Sequence, residues 1–342
     1  MRTLTQRELN RALLARQLLL ERGRMELPEA LERIGGIQAQ YAPSMYTGLW
    51  SRVEGFERAA LTAALERRAV VQGTLMRGTI HLVSRADYWP LALAVRDARR
   101  ALWLRLHPEL SGPAMRGAAR TLRRRLDGGT LPRGEVEALI GKPRAGAIHV
   151  WLDLVRAPPS GTWERRRADL YAAAEDWIGP PEISARDAAE QLVRRYLAGF
   201  GPASRKDVAS FTGLSLTALR PVLERIGLER FASEAGEELL DLPSAPLPDP
   251  GTPAPPRFLP TWDATLLAHA RRTGVLPERH RPRIFHTRNP QSEATFLVDG
   301  AVAGSWRHEA GGIRLDPFEP LDAATTRAVR EESERLAALF AS

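Results

Sequence analysis

The stretch SRKDVASFTGLSLTALRPVLERI, residues 204–226, decides how the fold is read. Ser204 and Asp207 stand three apart, the spacing at which a hydroxyl and a carboxylate satisfy the free backbone donors of a helix start. Small Ala209 follows, and Gly213 ends the helix. Ser215 then caps a second helix, with Leu216, Leu219, Leu223 and Ile226 at helical spacing. A small residue in the first helix, a glycine at the turn and an apolar stripe in the second form the pattern of a helix-turn-helix. A purely structural pair of crossed helices has the same packing needs, so that alternative stays open. Upstream, Ser184 with Asp187 caps a helix whose apolar side carries Leu192, Tyr196 and Leu197, and Phe200-Gly201-Pro202 breaks the chain. Leu239, Leu240 and Leu242 would close the unit as a wing strand.

Helices followed by a strand or hairpin recur twice before this unit. Thr5 and Glu8 form a capping box ahead of Leu9, Leu13 and Leu20. A second helix after Pro28 carries Leu27, Ala30, Leu31 and Ile34 and stops at Gly35-Gly36. A third is expected over 57–68, and a strand over 74–83. The next copy has helices near 114–126, 133–140 and 147–156, with a wing around Pro158, Pro159, Gly161 and Trp163. Pro243 to Pro256 contains seven prolines and reads as an extended linker or strap. Beyond it, strands over 283–287 and 294–298 flank Asn289-Pro290. Asp299-Gly300 turns the chain into a strand over 301–306, and a helix over 322–340 closes it. The expected class is α+β. The expected division is 1–108, 109–182 and 183–242 as three winged-helix units, 243–257 as a linker, and 258–342 as a β-rich segment with the closing helix.

The chain has 342 residues, 44% of them hydrophobic and 26% charged, with a net charge of +8. That is globular composition, and no apolar run reaches the roughly 20 residues of a membrane helix. Of its 49 basic residues only Lys142 and Lys206 are lysines. Arginine presents a planar donor fork suited to phosphates and bases, so a polyanion is one expected partner. A GC-rich genome would raise arginine as well. The sequence has no cysteine, which excludes disulfides, cysteine-bound metals and a thiol nucleophile. Its seven histidines show no metal-ligand spacing, so neither a metal nor a cofactor is expected. His107, His149 and His269 are read as structural. The start of the chain lacks a signal-peptide pattern, and a cytoplasmic monomer is expected.

The run Gly35-Gly36-Ile37-Gln38-Ala39-Gln40-Tyr41-Ala42-Pro43 is the most unusual. Its glycines and Pro43 favour a non-helical stretch. There Gln38 and Gln40 point the same way and present two neutral amides side by side. Two exposed polar residues on a loop would be the plain alternative. On a strand over 74–83, Arg77, Thr79 and His81 would share one face, suited to phosphate or base contacts or else merely solvated. Asp263, beside Trp262, could act as a general base, but asparate is a preferred helix cap, and that reading is favoured. A hairpin bearing Arg283, His286, Arg288 and Asn289 would be basic at its tip and could enter a minor groove.

Five blocks carry a resemblance: 36–44 (GIQAQYAPS), 77–83 (RGTIHLV), 199–203 (GFGPA), 259–263 (LPTWD) and 298–306 (VDGAVAGSW). In order and across nearly the whole chain, they resemble the winged-helix DNA glycosylases of the AlkZ-like family, which include azinomycin-resistance and crosslink-repair enzymes. The resemblance implies tandem winged-helix units around a concave DNA channel. It also implies monofunctional excision of bulky or cationic alkylated purines (N7-alkylguanine, N3-alkyladenine, interstrand crosslinks) from double-stranded DNA, in base excision repair or antibiotic self-resistance. Its catalytic Gln-x-Gln motif falls on Gln38 and Gln40, with Tyr41 and the basic residues above as DNA contacts. Such an enzyme would be nucleoid-associated. Two other classes stay open: a non-catalytic winged-helix regulator, and a scaffold whose winged helices no longer bind DNA.

Overall fold

A computed structural model describes residues 1–285, 292–309 and 312–341. The capped helices of 204–226 form as Arg205–Thr212 and Leu216–Arg225. Ser204 and Asp207 make both hydrogen bonds of the capping box. Gly213 takes φ +77°, the left-handed conformation that lets the chain turn between the helices. Phe211, Leu219, Leu223 and Ile226 are buried with the preceding helix Ala185–Phe200, each contributing about 1.5–3 kcal/mol. Leu216, expected on that stripe, is exposed because it opens the second helix before its inward face begins. Strands Glu229–Ser233 and Glu238–Asp241 form a hairpin, to which Arg2–Leu4 adds in parallel. The chain's start is thereby tied to the third helical unit.

A six-stranded sheet takes strands from both residues 37–84 and residues 130–173. Its order is Ile37–Gln38, Ile80–Ser84, Val70–Thr74, Leu154–Arg156, Leu170–Ala173, Thr130–Pro132. Several sequence expectations change within it. The single strand expected over 74–83 is a hairpin, because Arg77 and Gly78 take φ +53° and +70° and reverse the chain. The helix expected over 147–156 is a short 3-10 turn, Ile148–Val150, followed by the strand Leu154–Arg156. Pairing of Val155 and Arg156 with Gly73 and Gln72 overrides the local helical pattern there. Pro43, expected to keep its stretch extended, lies in the first turn of a helix Ala42–Trp50, where its missing N–H leaves no bond unmade. The 22-residue helix Arg85–Leu106 had no counterpart in the expected plan; Ser84 caps it and Tyr88, Leu91, Ala92 and Val95 bury its inner side. Arg58–Glu66 is helical, inside the expected 57–68.

The proline-rich strap has no regular structure and lies against the first helix, Gln6–Arg16. Arg7, Arg11 and Arg16 of that helix donate to the carbonyls of Pro250, Thr252 and Pro246. The C-terminal sheet runs Arg257–Leu259, Thr295–Val298, Ala301–Glu309, Gly312–Pro317. Asp299 and Gly300, at φ +47° and +82°, make its tight turn. Helix Ala323–Ala341 covers one face through Val329, Leu336 and Leu339. Arg281–Ile284 is a helical turn rather than the start of a strand. Among the described residues no helix is long and apolar enough to cross a membrane.

Candidate active site

The helix Leu27–Ile34 ends where Gly35 and Gly36 take φ +78° and +80°. At Gly36 a Cβ would lie 2.9 Å from Val83 Cγ1 and 3.1 Å from the Leu82 carbonyl oxygen, so only glycine lets the chain come this close to the next strand. Two left-handed residues redirect the chain into the strand Ile37–Gln38, which pairs with Ile80–Ser84 at Ile37–Leu82 and Gln38–His81. The Ala39 N–H donates to the Ile80 carbonyl and prolongs the pairing. Ile37 and Ala39 are buried in the first unit's core, which leaves Gln38 and Gln40 on the other side of the extended chain.

The two amides meet. Gln38 Nε2 donates to Gln40 Oε1 at 2.5 Å, and Arg77 Nη2 donates to Gln38 Oε1 at 3.0 Å. Gln38 is buried while Gln40 is exposed. Arg77 sits at the tip of the hairpin, off any strand face, and its guanidinium lies 4.6 Å from the ring centroid of Phe211 in the helix-turn-helix. Burial pushes its pKa down to about 10, so it stays a cation at neutral pH. His81 is buried behind Gln38, with Nδ1 3.0 Å from the Thr79 carbonyl oxygen; since that oxygen can only accept, Nδ1 carries the proton. Burial, then the charge of Arg77, push its pKa down to about 3 and keep the imidazole neutral. Thr79 turns its hydroxyl back to the Met76 carbonyl at 3.2 Å. The row of Arg77, Thr79 and His81 expected on one strand face is therefore dispersed by the turn, with only His81 within the strand.

Tyr41 is 44% exposed next to Gln40, and its hydroxyl accepts from Arg166 at 3.3 Å. Arg283 lies on the helical turn, its guanidinium 3.9 Å from the Phe318 ring centroid and 3.8 Å from Asp316. His286, Arg288 and Asn289 lie outside the described residues. Asp263 is buried and caps the short helix Ala264–Leu267 through the Thr265 N–H at 2.9 Å. Arg52 grips both of its oxygens, at 2.8 and 3.0 Å. A carboxylate held by a buried guanidinium and by the Thr265 N–H is the helix cap expected of Asp263. Sequence reasoning missed Arg52 and Phe211, since each meets its partner more than a hundred positions away and neither carries a local signal.

Two coupled neutral amides, a half-buried guanidinium and an uncharged imidazole thus meet at the edge of the six-stranded sheet, beside Phe211 of the helix Arg205–Thr212. The chain belongs to the AlkZ-like DNA glycosylase family: the family model described as DNA glycosylase AlkZ-like matches residues 31–339. It is accordingly a DNA glycosylase, which sets aside the non-catalytic regulator and the scaffold. Among solved structures it is similar to the Streptomyces sahachiroi DNA glycosylase AlkZ. The two are 18% identical, the match covers 98% of this chain and 97% of that one, and the TM-score is 0.82, so they share a fold. A comparison with curated protein sequences found no match.

Proposed function

We propose that this glycosylase hydrolyses the N-glycosidic bond of bulky or cationic alkylated purines, N7-alkylguanine above all, with N3-alkyladenine and interstrand crosslinks as further substrates. The observation that carries the reading is the 2.5 Å contact between two uncharged amides, Gln38 and Gln40, at an accessible edge. Alkylation at N7 makes the purine a cation and a good leaving group, so no general acid is required. The transition state then resembles an oxocarbenium ion, and the remaining task is to hold water at C1′. Gln40 Oε1 keeps a second lone pair for such a water, and Gln40 is the exposed member of the pair. An amide cannot take the water's proton, which passes to bulk water as the C1′–O bond forms and the C1′–N bond to the departing neutral purine breaks. The enzyme therefore acts on lesions already prone to leave and spares undamaged purines, with positioning supplying about 7 kcal/mol or more in ideal cases.

On this reading residues 1–108, 109–182 and 183–242 are winged-helix units that grip double-stranded DNA. Tyr41, Thr79 and Arg283 contact the duplex, and a monomeric, nucleoid-associated enzyme serves base excision repair or self-resistance. The test incubates a duplex containing one N7-methylguanine with wild type and with Gln38→Ala/Gln40→Ala, followed by alkaline cleavage of abasic sites. Wild type is expected to release the base and the double variant to lose that release. Undiminished release by the folded double variant would remove the glutamines from the mechanism.

A further inference from the structure

We propose that Arg77 is a positioning residue for the glutamine pair: it sets the orientation of both amides and is not a contact to DNA. The inference rests on the glutamine assignment above. An isolated glutamine side chain can present oxygen or nitrogen in either sense, so two neighbouring amides have four arrangements. A guanidinium has donors only. With Arg77 Nη2 at 3.0 Å, Gln38 must turn its oxygen to the arginine and its nitrogen to Gln40. Gln40 must then answer with its oxygen, which directs its own NH2 outward. One cation thereby gives the chain Arg77–Gln38–Gln40 a single direction, and each bond polarises the next.

Arg77 is itself held for this task. Its backbone is pinned at the turn, where Gly78 and Thr79 N–H groups bond back to Leu75 and Met76. Phe211 of the helix Arg205–Thr212 supports the guanidinium, and one further nitrogen, Nη1, is buried without an acceptor. With Nη1 buried and Nη2 bound to Gln38, the half-buried guanidinium is not free to reach outward to a phosphate. The arrangement also links the units: the helix-turn-helix sets a ring beneath the residue that orients the first unit's amides.

The test is a double-mutant cycle of Arg77→Met and Gln38→Ala, read as single-turnover excision of N7-methylguanine, with binding to undamaged duplex measured across salt. Arg77→Met is expected to slow excision about 100-fold, the scale of a misplaced reacting group. It should leave the salt slope of binding unchanged, whereas a lost phosphate contact lowers that slope by about 0.9. In the Gln38→Ala background the same substitution should have less than about a threefold effect, because its action passes through Gln38. Arg77→Lys, which keeps a charged donor, should recover excision to within about tenfold of wild type. A lower salt slope, equal losses in both backgrounds, or wild-type excision by Arg77→Met would each overturn the proposal. If Arg77→Met does not fold, Arg77→Gln takes its place; it keeps donor and bulk but can also offer Gln38 an oxygen, and is expected to be slow. Full excision by Gln38→Ala/Gln40→Ala would sink the glutamine assignment itself. Loss there together with normal excision by Arg77→Met would sink only the role of Arg77.

Discussion

Asp263→Asn separates the chemistry from the scaffold. The substitution removes one charge and one acceptor while keeping the shape of the side chain. Arg52 would then lie with only 2% of its side chain exposed and no counter-charge, still bonded to the Gly48 carbonyl, Thr265 Oγ1 and Gln17 Oε1. Breaking one side of a buried ion pair costs about 3–5 kcal/mol. Spread over the unfolding entropy of 342 residues, that loss lowers Tm by about 4–7 °C. Asn retains the cap to Thr265, so the short helix and its buried Leu266 stay in place. The expectation is a clear drop in urea and thermal stability with single-turnover excision at 20 °C within about threefold of wild type, as for any residue outside the reacting groups. A variant as stable as wild type that no longer excises would refute the reasoning and make Asp263 the general base.

The remaining expectations concern the strand and the charge state of the site. Gly36→Ala should destabilise by about 1–3 kcal/mol and slow excision, since the left-handed strain is joined by a clash with Val83 and the Leu82 carbonyl. Gly78→Ala, also at positive φ but facing open space, should cost only about 1 kcal/mol; equal losses at both sites would remove the close-approach argument. The single-turnover rate should be flat from pH 5 to 8, because the amides do not ionise, Arg77 titrates near 10 and His81 near 3; an inflection near 6.5 would place a proton transfer at the site. His81 also has a stability signature. Below its ordinary pKa of 6.5 the unfolded chain takes up a proton that the folded chain refuses until about 3. Stability therefore falls with acid by about 1.4 kcal/mol per pH unit in that window, and equilibrium unfolding of His81→Gln should show the slope reduced by that amount.

The residues that announce a change of direction were legible in the sequence. Capping pairs Thr5–Glu8 and Ser204–Asp207, the stops at Gly35 and Gly213, and the Asp299-Gly300 turn all act where they were expected. These features work within four residues, and caps and turns satisfy their own backbone groups whatever lies beyond them. The extended run that sets Gln38 beside Gln40 is of the same kind. By contrast, Leu154–Arg156 looked helical and became a strand through pairing with Gln72 and Gly73, and Arg77 appeared to share a strand face with Thr79 and His81 until the hairpin turned it away.

The sequence by itself determined the capped starts and glycine stops of the helices it announced, and that two neutral amides stand on one side of an extended chain. Tertiary structure alone decided what those amides face. Arg77 reaches Gln38 from 39 positions away, and Phe211 supports Arg77 from the helix Arg205–Thr212. Asp263 is held by Arg52, 211 positions earlier. Hydrogen-bond direction, burial and proton affinity depend on which groups are brought within a few ångströms and shut off from water, and in this chain those groups come from segments with no local pattern in common.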